Sequence, residues 1–289
     1  MTGSLYGVTG ASGHLGRLAV LDLLARRVPA ADIVAIVRTR EKVADLAERG
    51  VDVRVADYTQ PETLHTGLAG VNRLLLVSSS PAGERLAQHM NVIAAAKSAG
   101  VSLVVYTGIL NAEHTSNPLA GEHQDTERAL RDAGVPFIVL RNGWYIENYT
   151  DRLPQYLQAG EIVGAAGHGR ISAASRQDYA VAAVAALLQN VDGSHAYELG
   201  GPSFDLFELA EAITATTGTG VTYYNLSVDE YINTLKRSGL DQNTAAFVAA
   251  LDASIARGEL ETTSQDLEQL LGRPVTSLAT VIREAQHHA

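Results

Sequence analysis

The chain of 289 residues contains no cysteine, one tryptophan and only three lysines. The absence of cysteine excludes disulfide bonds, thiol nucleophiles and cysteine-based metal sites. The nine histidines show no spacing that is typical of a metal site, and the pair at 287–288 reads as a solvated tail. We therefore expect a protein without a metal.

Membrane and nucleic-acid partners are not expected either. No apolar run is long enough to span a bilayer, and the N-terminus lacks the basic and apolar regions of a signal peptide. The net charge is −10, and the basic residues form no stretch beyond isolated pairs such as Arg26 and Arg27. This balance argues against direct binding of nucleic acid. We expect a cytoplasmic protein.

A tyrosine and a lysine never stand in the spacing Tyr-x-x-x-Lys. None of the 11 tyrosines has a lysine four residues later, and the lysines are Lys42, Lys97 and Lys236. That spacing places a lysine beside a tyrosine of lowered pKa, which then transfers a proton. Its absence argues against alcohol dehydrogenation and sugar epimerisation by that route.

Up to about residue 143 the chain alternates apolar strands with amphipathic helices. Strands are predicted at residues 5–9, 33–37, 51–55, 74–77, 103–107 and 137–141, and helices are predicted to begin near residues 15, 43, 61, 84 and 123. Strands separated by helices pair in parallel through right-handed crossovers. The predicted fold is α/β, a Rossmann-type doubly wound parallel sheet with a smaller α+β C-terminal lobe.

A glycine-rich turn, T-G-A-S-G-H-L-G, joins the first predicted strand to its helix. Gly10 permits a tight turn, Gly13 leaves room for a phosphate beside backbone N–H groups, and Gly16 lets the helix pack closely. The helix N-terminus adds unpaired N–H donors and partial positive charge. We predict that a pyrophosphate binds here; the competing interpretation is a turn that binds nothing. The predicted contacts are Gly10, Ala11, Ser12, Gly13, His14, Leu15 and Gly16.

The residue after the second strand indicates which dinucleotide binds. NAD-binding proteins place an Asp or Glu there to hold the ribose hydroxyls, whereas this chain has Arg38. A guanidinium pairs with a 2′-phosphate through charge-assisted bonds. The sequence therefore predicts NADPH, with Arg38 as the anchor of the 2′-phosphate; a solvated surface arginine is the other interpretation. Arg40 either assists or starts a helix.

Further cofactor contacts are expected at the ends of the next strands. Asp57 follows the third strand and either meets the adenine edge or caps a helix. Small residues follow the fourth strand at Ser78, Ser79, Ser80 and Pro81, where the backbone can approach the middle of the cofactor. Thr107 ends the fifth strand, beside the position expected for the nicotinamide.

The run R-N-G-W-Y-I-E-N-Y at residues 141–149 follows the sixth strand at the carboxyl edge of the sheet. Trp144, Tyr145 and Tyr149 offer flat faces for a planar ring, in a chain of which only 6% is aromatic. Asn142 and Asn148 offer amide donors. The competing interpretation is that the aromatic rings fill the interface between two domains.

Together these motifs resemble the NmrA-like family of atypical short-chain dehydrogenases/reductases, and within it the bacterial NADPH-dependent quinone reductases. The resemblance covers nearly the whole chain and is most specific at L-R-N-G-W-Y-I-E-N-Y; T-G-A-S-G-H-L-G, L-L-L-V-S-S-S and G-E-H-Q-D-T-E support it. It implies an NADPH-binding domain at residues 1–143, on which residues 160–200 partly pack, and a smaller substrate-cleft domain at 144–289. Besides the glycine loop and Arg38, it assigns to the cofactor Leu76, Val77, Ser78, Asn142, Gly143, Trp144, Tyr145, Ile146 and Glu147.

Candidate catalytic residues are His123, Tyr145 and Asn142. In isoflavone-reductase-type relatives a catalytic lysine begins the helix before the sixth strand, and His123 stands at the matching place, so that lysine mechanism is not implied here. His123 is either a proton donor with a pKa near neutrality or an exposed or helix-capping residue. Arg176, near Asp178, either starts a helix or contacts the cofactor.

Two functions follow from these residues. The first is NADPH-dependent reduction of a small planar quinone by direct hydride transfer without flavin, since a quinone becomes aromatic on reduction and needs little proton assistance. The second is a non-catalytic NADP(H)-sensing regulator that binds a partner protein. A reductase or isomerase for another carbonyl compound is a third. The sequence leaves the formation of a homodimer open.

Overall fold

The computed structural model describes residues 4–79, 83–190 and 192–287. Two sheets are present in these ranges, a large parallel sheet covered by helices on both faces and a small sheet in a second lobe. The strands in chain order are β1 (Tyr6–Thr9), β2 (Ile33–Val37), β3 (Asp52–Val55), β4 (Arg73–Leu76), β5 (Leu103–Ile109), β6 (Phe137–Asn142), β7 (Glu161–Gly164), β8 (His195–Leu199) and β9 (Thr222–Asn225).

The large sheet has the strand order β3-β2-β1-β4-β5-β6-β8, and all of its pairs are parallel. The chain runs outward from β1 to β3 and then crosses back to β4, so the order reverses between β1 and β4. Ligands of such sheets bind at the carboxyl ends of the strands, at this point of reversal. The predicted doubly wound parallel sheet is confirmed.

The helices occupy the connections that the sequence predicted. Four predicted starts agree within one residue, of which the one near 43 is preceded by a 3₁₀ turn (Arg40–Val43), and the one near 123 lies three residues too late. In chain order the helices are α1 (His14–Ala25), α2 (Ala44–Glu48), α3 (Pro61–Gly67), α4 (Arg85–Ser98), α5 (Ala120–Ala133), α6 (Glu147–Thr150), α7 (Leu153–Ala159), α8 (Arg176–Leu188), α9 (Leu206–Thr217), α10 (Val228–Arg237), α11 (Gln242–Ala256), α12 (Asp266–Leu271) and α13 (Leu278–Gln286).

Both faces of the sheet are buried, and β2 shows how one strand serves two cores. All five of its residues are buried, which is why its sequence is an unbroken apolar run. Ile33, Ala35 and Val37 pack on the face covered by α1 and α8. Val34 and Ile36 contribute to the opposite core, together with residues of α3, α4 and α5. The alternation of strand side chains thus supplies both layers.

The second lobe has its own core around the parallel pair β7 and β9. Helix α9 packs on these strands and begins with a capping box, in which Asp205 Oδ1 accepts from the Glu208 N–H at 2.8 Å and Glu208 Oε2 accepts from the Asp205 N–H at 2.9 Å. It ends at Gly218, which has a φ of 76°.

Part of the later sequence returns to the large sheet. Helix α8 packs against α1, and β8 pairs with β6. Fully buried Asp178 accepts from Arg273 Nη2 at 2.6 Å and from the Thr276 N–H at 2.8 Å, which joins the C-terminal segment to α8.

In the described ranges, no helix combines the length and apolarity that a membrane crossing needs.

Candidate cofactor and substrate site

The glycine loop lies at the carboxyl end of β1, where the strand order reverses. Gly10 has a φ of 60°, a region that glycine adopts without strain, and its carbonyl accepts from the Gly13 N–H at 2.9 Å. A Cβ on Gly16 would lie 2.4 Å from the Gly10 carbonyl oxygen. Gly16 therefore permits the close packing of α1 on the loop that the sequence predicted.

The first turn of α1 offers donors for an anion. Ser12, Gly13 and His14 are exposed, and within the described ranges no protein acceptor takes the N–H of Ser12, His14 or Leu15. No side chain caps the helix at Gly13, and its first turn carries no acidic residue. The partial positive charge of this N-terminus is therefore uncompensated, which suits a pyrophosphate.

Two arginines after β2 have different environments. Arg38 is exposed and has no hydrogen-bond or ion-pair partner among the residues that the structure describes. Arg40 donates from Nη1 to the Val53 carbonyl at 2.7 Å and begins the 3₁₀ turn. Of the two, Arg38 is the one whose guanidinium has no partner in the described part of the chain, so the structure favours Arg38 over Arg40 for the 2′-phosphate.

Asp57 stabilises a turn of its own chain. Its Oδ1 accepts from the Thr59 N–H at 2.9 Å and from Thr59 Oγ1 at 2.8 Å, and the cap of α3 is Gln60. The hydrogen bond from the Thr59 N–H lowers the pKa of the Asp57 carboxyl, and nearby Arg38 acts in the same direction. Asp57 is therefore no cap of α3, and its second oxygen remains for an adenine.

Side-chain hydroxyls connect the ends of neighbouring strands. Thr9 Oγ1 accepts from the Val77 N–H at 3.0 Å, and Thr107 Oγ1 accepts from the Ser78 N–H at 2.9 Å. Thr107 is buried, so its role here is to hold the end of β4. The Leu76 side chain is fully buried in the core, so the predicted cofactor contact at Leu76 would be made by its backbone. Ser80 and Pro81 lie outside the described residues.

The segment after β6 approaches the rest of the protein closely. A Cβ on Gly143 would lie 2.3 Å from the Ser172 carbonyl oxygen, and the Gly143 N–H donates to the Leu199 carbonyl at 2.7 Å. Gly143 is thus required by packing. Ile146 is 2% exposed, its N–H donates to the Ala174 carbonyl, and its carbonyl accepts from Tyr149. The polar groups of the Ile146 backbone are thus engaged within the protein, and its predicted cofactor contact would be apolar.

The aromatic side chains of this segment divide between the site and the second core. Trp144 and Tyr149 are half-buried and pack on the core of the second lobe, and the Tyr149 ring lies edge-on to Phe204 at 6.3 Å. Tyr145 packs on the core between the large sheet and the helices α1 and α8, and the Arg176 guanidinium lies 5.4 Å from its ring centroid. The predicted filling of an interface therefore describes Trp144 and Tyr149 better than Tyr145.

Buried polar atoms without a protein partner mark the carboxyl edge. Among the described residues these atoms are Ser79 Oγ, Asn142 Oδ1 and Glu147 Oε2. The other Glu147 oxygen accepts from the Arg176 N–H at 2.7 Å, and burial raises the pKa of this carboxyl. A buried acceptor without a donor costs free energy, so these positions fit a ligand that supplies N–H or O–H groups.

Arg176 begins α8 and contacts the segment after β6. Its guanidinium donates to Asp151 Oδ2 at 3.1 Å and to Asn148 Oδ1 at 3.3 Å. Arg176 starts a helix, as one interpretation had it, and the contact to the cofactor stays a prediction. Burial raises the pKa of the Tyr145 hydroxyl, whereas the Asn142 side chain opposes the shift. Tyr145 is thus a neutral hydrogen-bond donor at physiological pH.

His123 differs from its expected state. It is 6% exposed, the fourth residue of α5, and its Nδ1 lies 2.6 Å from the Tyr106 hydroxyl. Burial, together with the charge of Arg85, lowers the pKa of His123 to about 3. His123 is therefore neither exposed nor a helix cap, and the expected pKa near neutrality is wrong. A neutral imidazole donates a hydrogen bond but does not act as a cationic acid.

Two buried histidines, His89 and His123, are expected to make the stability of the protein depend on pH. Burial lowers the pKa of both His89 and His123 to about 3, below 6.5, so the unfolded chain binds more protons on acidification. Their contribution to the free energy of unfolding is fully present above about pH 6.5. Below that pH the free energy of unfolding falls by about 1.4 kcal/mol per pH unit for each histidine. Asp252, whose pKa burial raises to about 6, offsets one of them below that pH.

Urea unfolding between about pH 6.5 and about pH 5 checks this prediction. The free energy of unfolding should fall on acidification, and Asp252→Asn should make the fall steeper because it removes the opposing proton uptake. The asparagine keeps an acceptor for the Ala165 N–H, which Asp252 Oδ2 binds at 2.7 Å. A free energy of unfolding that does not change with pH in both proteins would contradict the buried neutral histidines.

Sequence reasoning missed Tyr106 and His89. Tyr106 lies within the apolar strand L-V-V-Y-T and is fully buried, as is His89 on α4. A tyrosine inside an otherwise apolar strand was the available signal, because a buried phenol needs a hydrogen-bond partner.

Two surface depressions of about 580 Å³ lie elsewhere, beside Glu230 and Lys236 on α10 and beside residues 166–170. Neither includes a predicted site residue.

Comparisons with known proteins agree with this geometry. The NAD(P)H-binding family matches residues 10–190. The chain is 44% identical to quinone oxidoreductase 2 of Escherichia coli (strain K12) over 276 residues, which covers 95% of this chain and 96% of that protein.

Solved structures show the same likeness over the whole fold. The Escherichia coli NADPH-dependent quinone oxidoreductase complexed with NADPH has a TM-score of 0.92 at 42% identity, covering 97% of this chain and 99% of that one. Triphenylmethane reductase from Citrobacter sp., complexed with NADP(H), has a TM-score of 0.91 at 37% identity, with the same coverage. The resemblance carried by the sequence motifs is confirmed, and the chain belongs to the NAD(P)H-binding, NmrA-like family of reductases.

Proposed function

We propose that this protein is an NADPH-dependent quinone oxidoreductase that reduces a small planar quinone by direct hydride transfer, without flavin. The observation that carries the choice of cofactor is the free guanidinium of Arg38 at the end of β2, beside the uncapped N-terminus of α1. The likeness to quinone oxidoreductase 2 over nearly the whole of both chains supports the choice of substrate.

The residues present fit NADPH. The free N–H groups of α1 suit the pyrophosphate, and Arg38 suits the 2′-phosphate through charge-assisted bonds. Asn142 Oδ1 and Glu147 Oε2 are buried acceptors that lack donors, and the carboxamide of a nicotinamide brings an N–H group. NADPH supplies the hydride when it is bound. In this proposal, the glycine loop, Arg38 and the segment 142–147 hold the cofactor.

The side chains near the carboxyl edge are neutral donors. Tyr145 keeps its proton because burial raises the pKa of its hydroxyl, and His123 is an uncharged imidazole at physiological pH. Such groups stabilise a developing oxyanion by hydrogen bonds without giving up a proton. A quinone suits this site, because its reduction restores an aromatic ring and the last proton can come from water. We assign His123, Tyr145 and Asn142 to this role.

The experiment is NADPH consumption by the pure protein across a panel of quinones, aldehydes and a triphenylmethane dye. We expect consumption that depends on added benzoquinone, one hydroquinone formed per NADPH, and much slower turnover with NADH. A protein saturated with NADPH that reduces no quinone would contradict the proposal. Tight binding of NADP⁺ without turnover, with a co-purifying protein, would then favour the regulatory alternative.

The proposal extends to organisation and location. We propose that residues 1–143, with 160–200 packed on them, form the cofactor domain and that residues 144–289 supply the substrate side of the cleft. The return of α8 and β8 to the large sheet supports this division. A cytoplasmic location and a homodimer without nucleic-acid contacts complete the proposal; sedimentation of the pure protein measures the oligomeric state.

A further inference from the structure

A row of uncharged polar side chains lies below the carboxyl ends of β4 and β5. Tyr106 and His89 are fully buried, Thr126 is fully buried, and His123 is 6% exposed. The Tyr106 ring centroid lies 5.3 Å from that of His89 and 5.9 Å from that of His123. The hydrogen bonds within this row determine which nitrogen of each imidazole carries the proton.

The tautomer of His89 follows from its backbone partner. The Ser79 N–H donates to His89 Nε2 at 3.0 Å, so this nitrogen must be an acceptor. The proton of the neutral ring therefore sits on Nδ1, which lies 3.0 Å from Thr126 Oγ1. Thr126 Oγ1 donates its own proton to the Glu122 carbonyl at 2.7 Å and can accept from His89. His89 is the Nδ1–H tautomer.

His123 has the opposite tautomer. His123 Nδ1 lies 2.6 Å from the Tyr106 hydroxyl, and Thr126 Oγ1, which is also within reach of the phenol, already accepts from His89 and donates to the Glu122 carbonyl. If Nδ1 carried the proton, the phenol could no longer donate to the imidazole beside it and would compete with His89 for the Thr126 oxygen. Tyr106 therefore donates to Nδ1, and the proton of the neutral imidazole sits on Nε2.

The Nε2–H group of His123 is free to act outside the row. It has no protein partner among the described residues, and it is not one of the buried unpaired atoms, which are Ser79 Oγ, Asn142 Oδ1 and Glu147 Oε2. His123 presents one N–H donor with a fixed orientation, near the first turn of α5 at the carboxyl edge of the sheet.

We propose that Tyr106 is a positioning residue that holds His123 as its Nε2–H tautomer, and that this N–H donates a hydrogen bond to a quinone oxygen as that oxygen gains negative charge. The inference rests on the proposed quinone reduction and identifies the group that stabilises its product. His89 completes the arrangement from the other side of Tyr106, with its proton directed at Thr126.

The reaction balances without a proton from His123. One hydride and one proton convert the quinone to a hydroquinone, with oxidation of NADPH to NADP⁺. The hydride carries both electrons, and one oxygen remains an anion until water supplies the proton. His123 keeps its proton throughout, and the hydrogen bond from Nε2 stabilises the anion in the transition state.

Nitrogen-15 NMR of the cofactor-free protein, labelled at histidine, tests the tautomers at about pH 7. We expect His89 to be protonated at Nδ1 and His123 at Nε2, with His89→Gln and His123→Gln assigning the signals. In Tyr106→Phe, His123 should become a mixture of tautomers while His89 is unchanged. A wild-type His123 protonated at Nδ1 would overturn the inference, whatever the activity.

Kinetics separate positioning from a structural role. Tyr106→Phe keeps the ring and its packing, and we expect kcat to fall about tenfold with an unchanged KM for NADPH. His123→Leu should lose about 100-fold in kcat. His123→Gln should retain most of it, since its amide places an N–H donor near the position of Nε2.

The combined variant decides the matter. In the His123→Gln background, Tyr106→Phe should have no further effect, because no imidazole is left to position. An equal loss in both backgrounds would overturn the inference in favour of a packing role for Tyr106. If the wild-type protein reduces no quinone, the proposed function fails and the substrate role of His123 fails with it. If the wild-type protein reduces quinone while its His123 lacks the Nε2–H tautomer, the proposed function stands and only the inference about Tyr106 and His123 is overturned.

Discussion

Arg38→Ala is expected to weaken the binding of NADPH about 100-fold and to leave the binding of NADH nearly unchanged. Arg38 is exposed and has no partner among the described residues, so its removal breaks no contact within the protein. The charge-assisted bonds of a guanidinium to a phosphate contribute about 1.5–3 kcal/mol each. NADH lacks the 2′-phosphate and cannot lose them. Isothermal titration with both cofactors measures the two dissociation constants.

Arg40→Ala is the matched control for this measurement. Arg40 lies two residues away and carries the same charge, but its Nη1 donates to the Val53 carbonyl at 2.7 Å. We expect a modest loss of stability and nearly the same ratio of NADPH to NADH affinity as in the wild type. An equal loss of both cofactors in Arg38→Ala would show that Arg38 does not recognise the 2′-phosphate.

Gly16→Ala is expected to destabilise the fold by about 2–4 kcal/mol and to abolish cofactor binding. The new Cβ would lie 2.4 Å from the carbonyl oxygen of Gly10 and 3.0 Å from that of Thr9. Both contacts are backbone atoms of the glycine loop, so α1 or the loop must move. Urea unfolding and titration with NADPH measure the two effects.

Gly121→Ala provides the control for Gly16→Ala, since both glycines lie in helices. A Cβ on Gly121 meets no atom within 4 Å. Alanine in a helix is more favourable than glycine by about 0.5–1 kcal/mol, so Gly121→Ala should stabilise the protein slightly and keep its affinity for NADPH. A similar gain for Gly16→Ala would contradict the close packing of α1 on the loop.

Much of the fold was accessible from local patterns. Unbroken apolar strands such as β2, separated by helical segments, predicted buried parallel strands and the doubly wound sheet, and the structure confirmed it. The start of α5 was placed too late at His123, because its first turn is polar and lacks an apolar periodicity. The return of β8 to the large sheet was expected only in part, since pairing between β6 and β8 joins residues far apart in sequence.

The sequence predicted some parts of the candidate site better than others. Glycine spacing and the position of Arg38 marked the cofactor side, because short motifs there carry the backbone geometry and the charge. The burial of the Leu76 and Ile146 side chains was decided by the tertiary structure, since a motif does not say which face of a strand or turn enters the core. Tyr106 escaped notice because its partner, His123, lies on another element.

By itself, the sequence determined the order of strands and helices, the glycine loop, the absence of a tyrosine–lysine pair and the guanidinium after β2. These features depend on neighbouring residues, whose spacing sets local backbone geometry and charge. Only the tertiary structure decided that Arg40 is engaged while Arg38 has no partner among the described residues, and that His123 is a buried neutral imidazole hydrogen-bonded to Tyr106. Those properties depend on burial and on partners from distant segments, which remove solvent and shift the balance between charged and neutral forms.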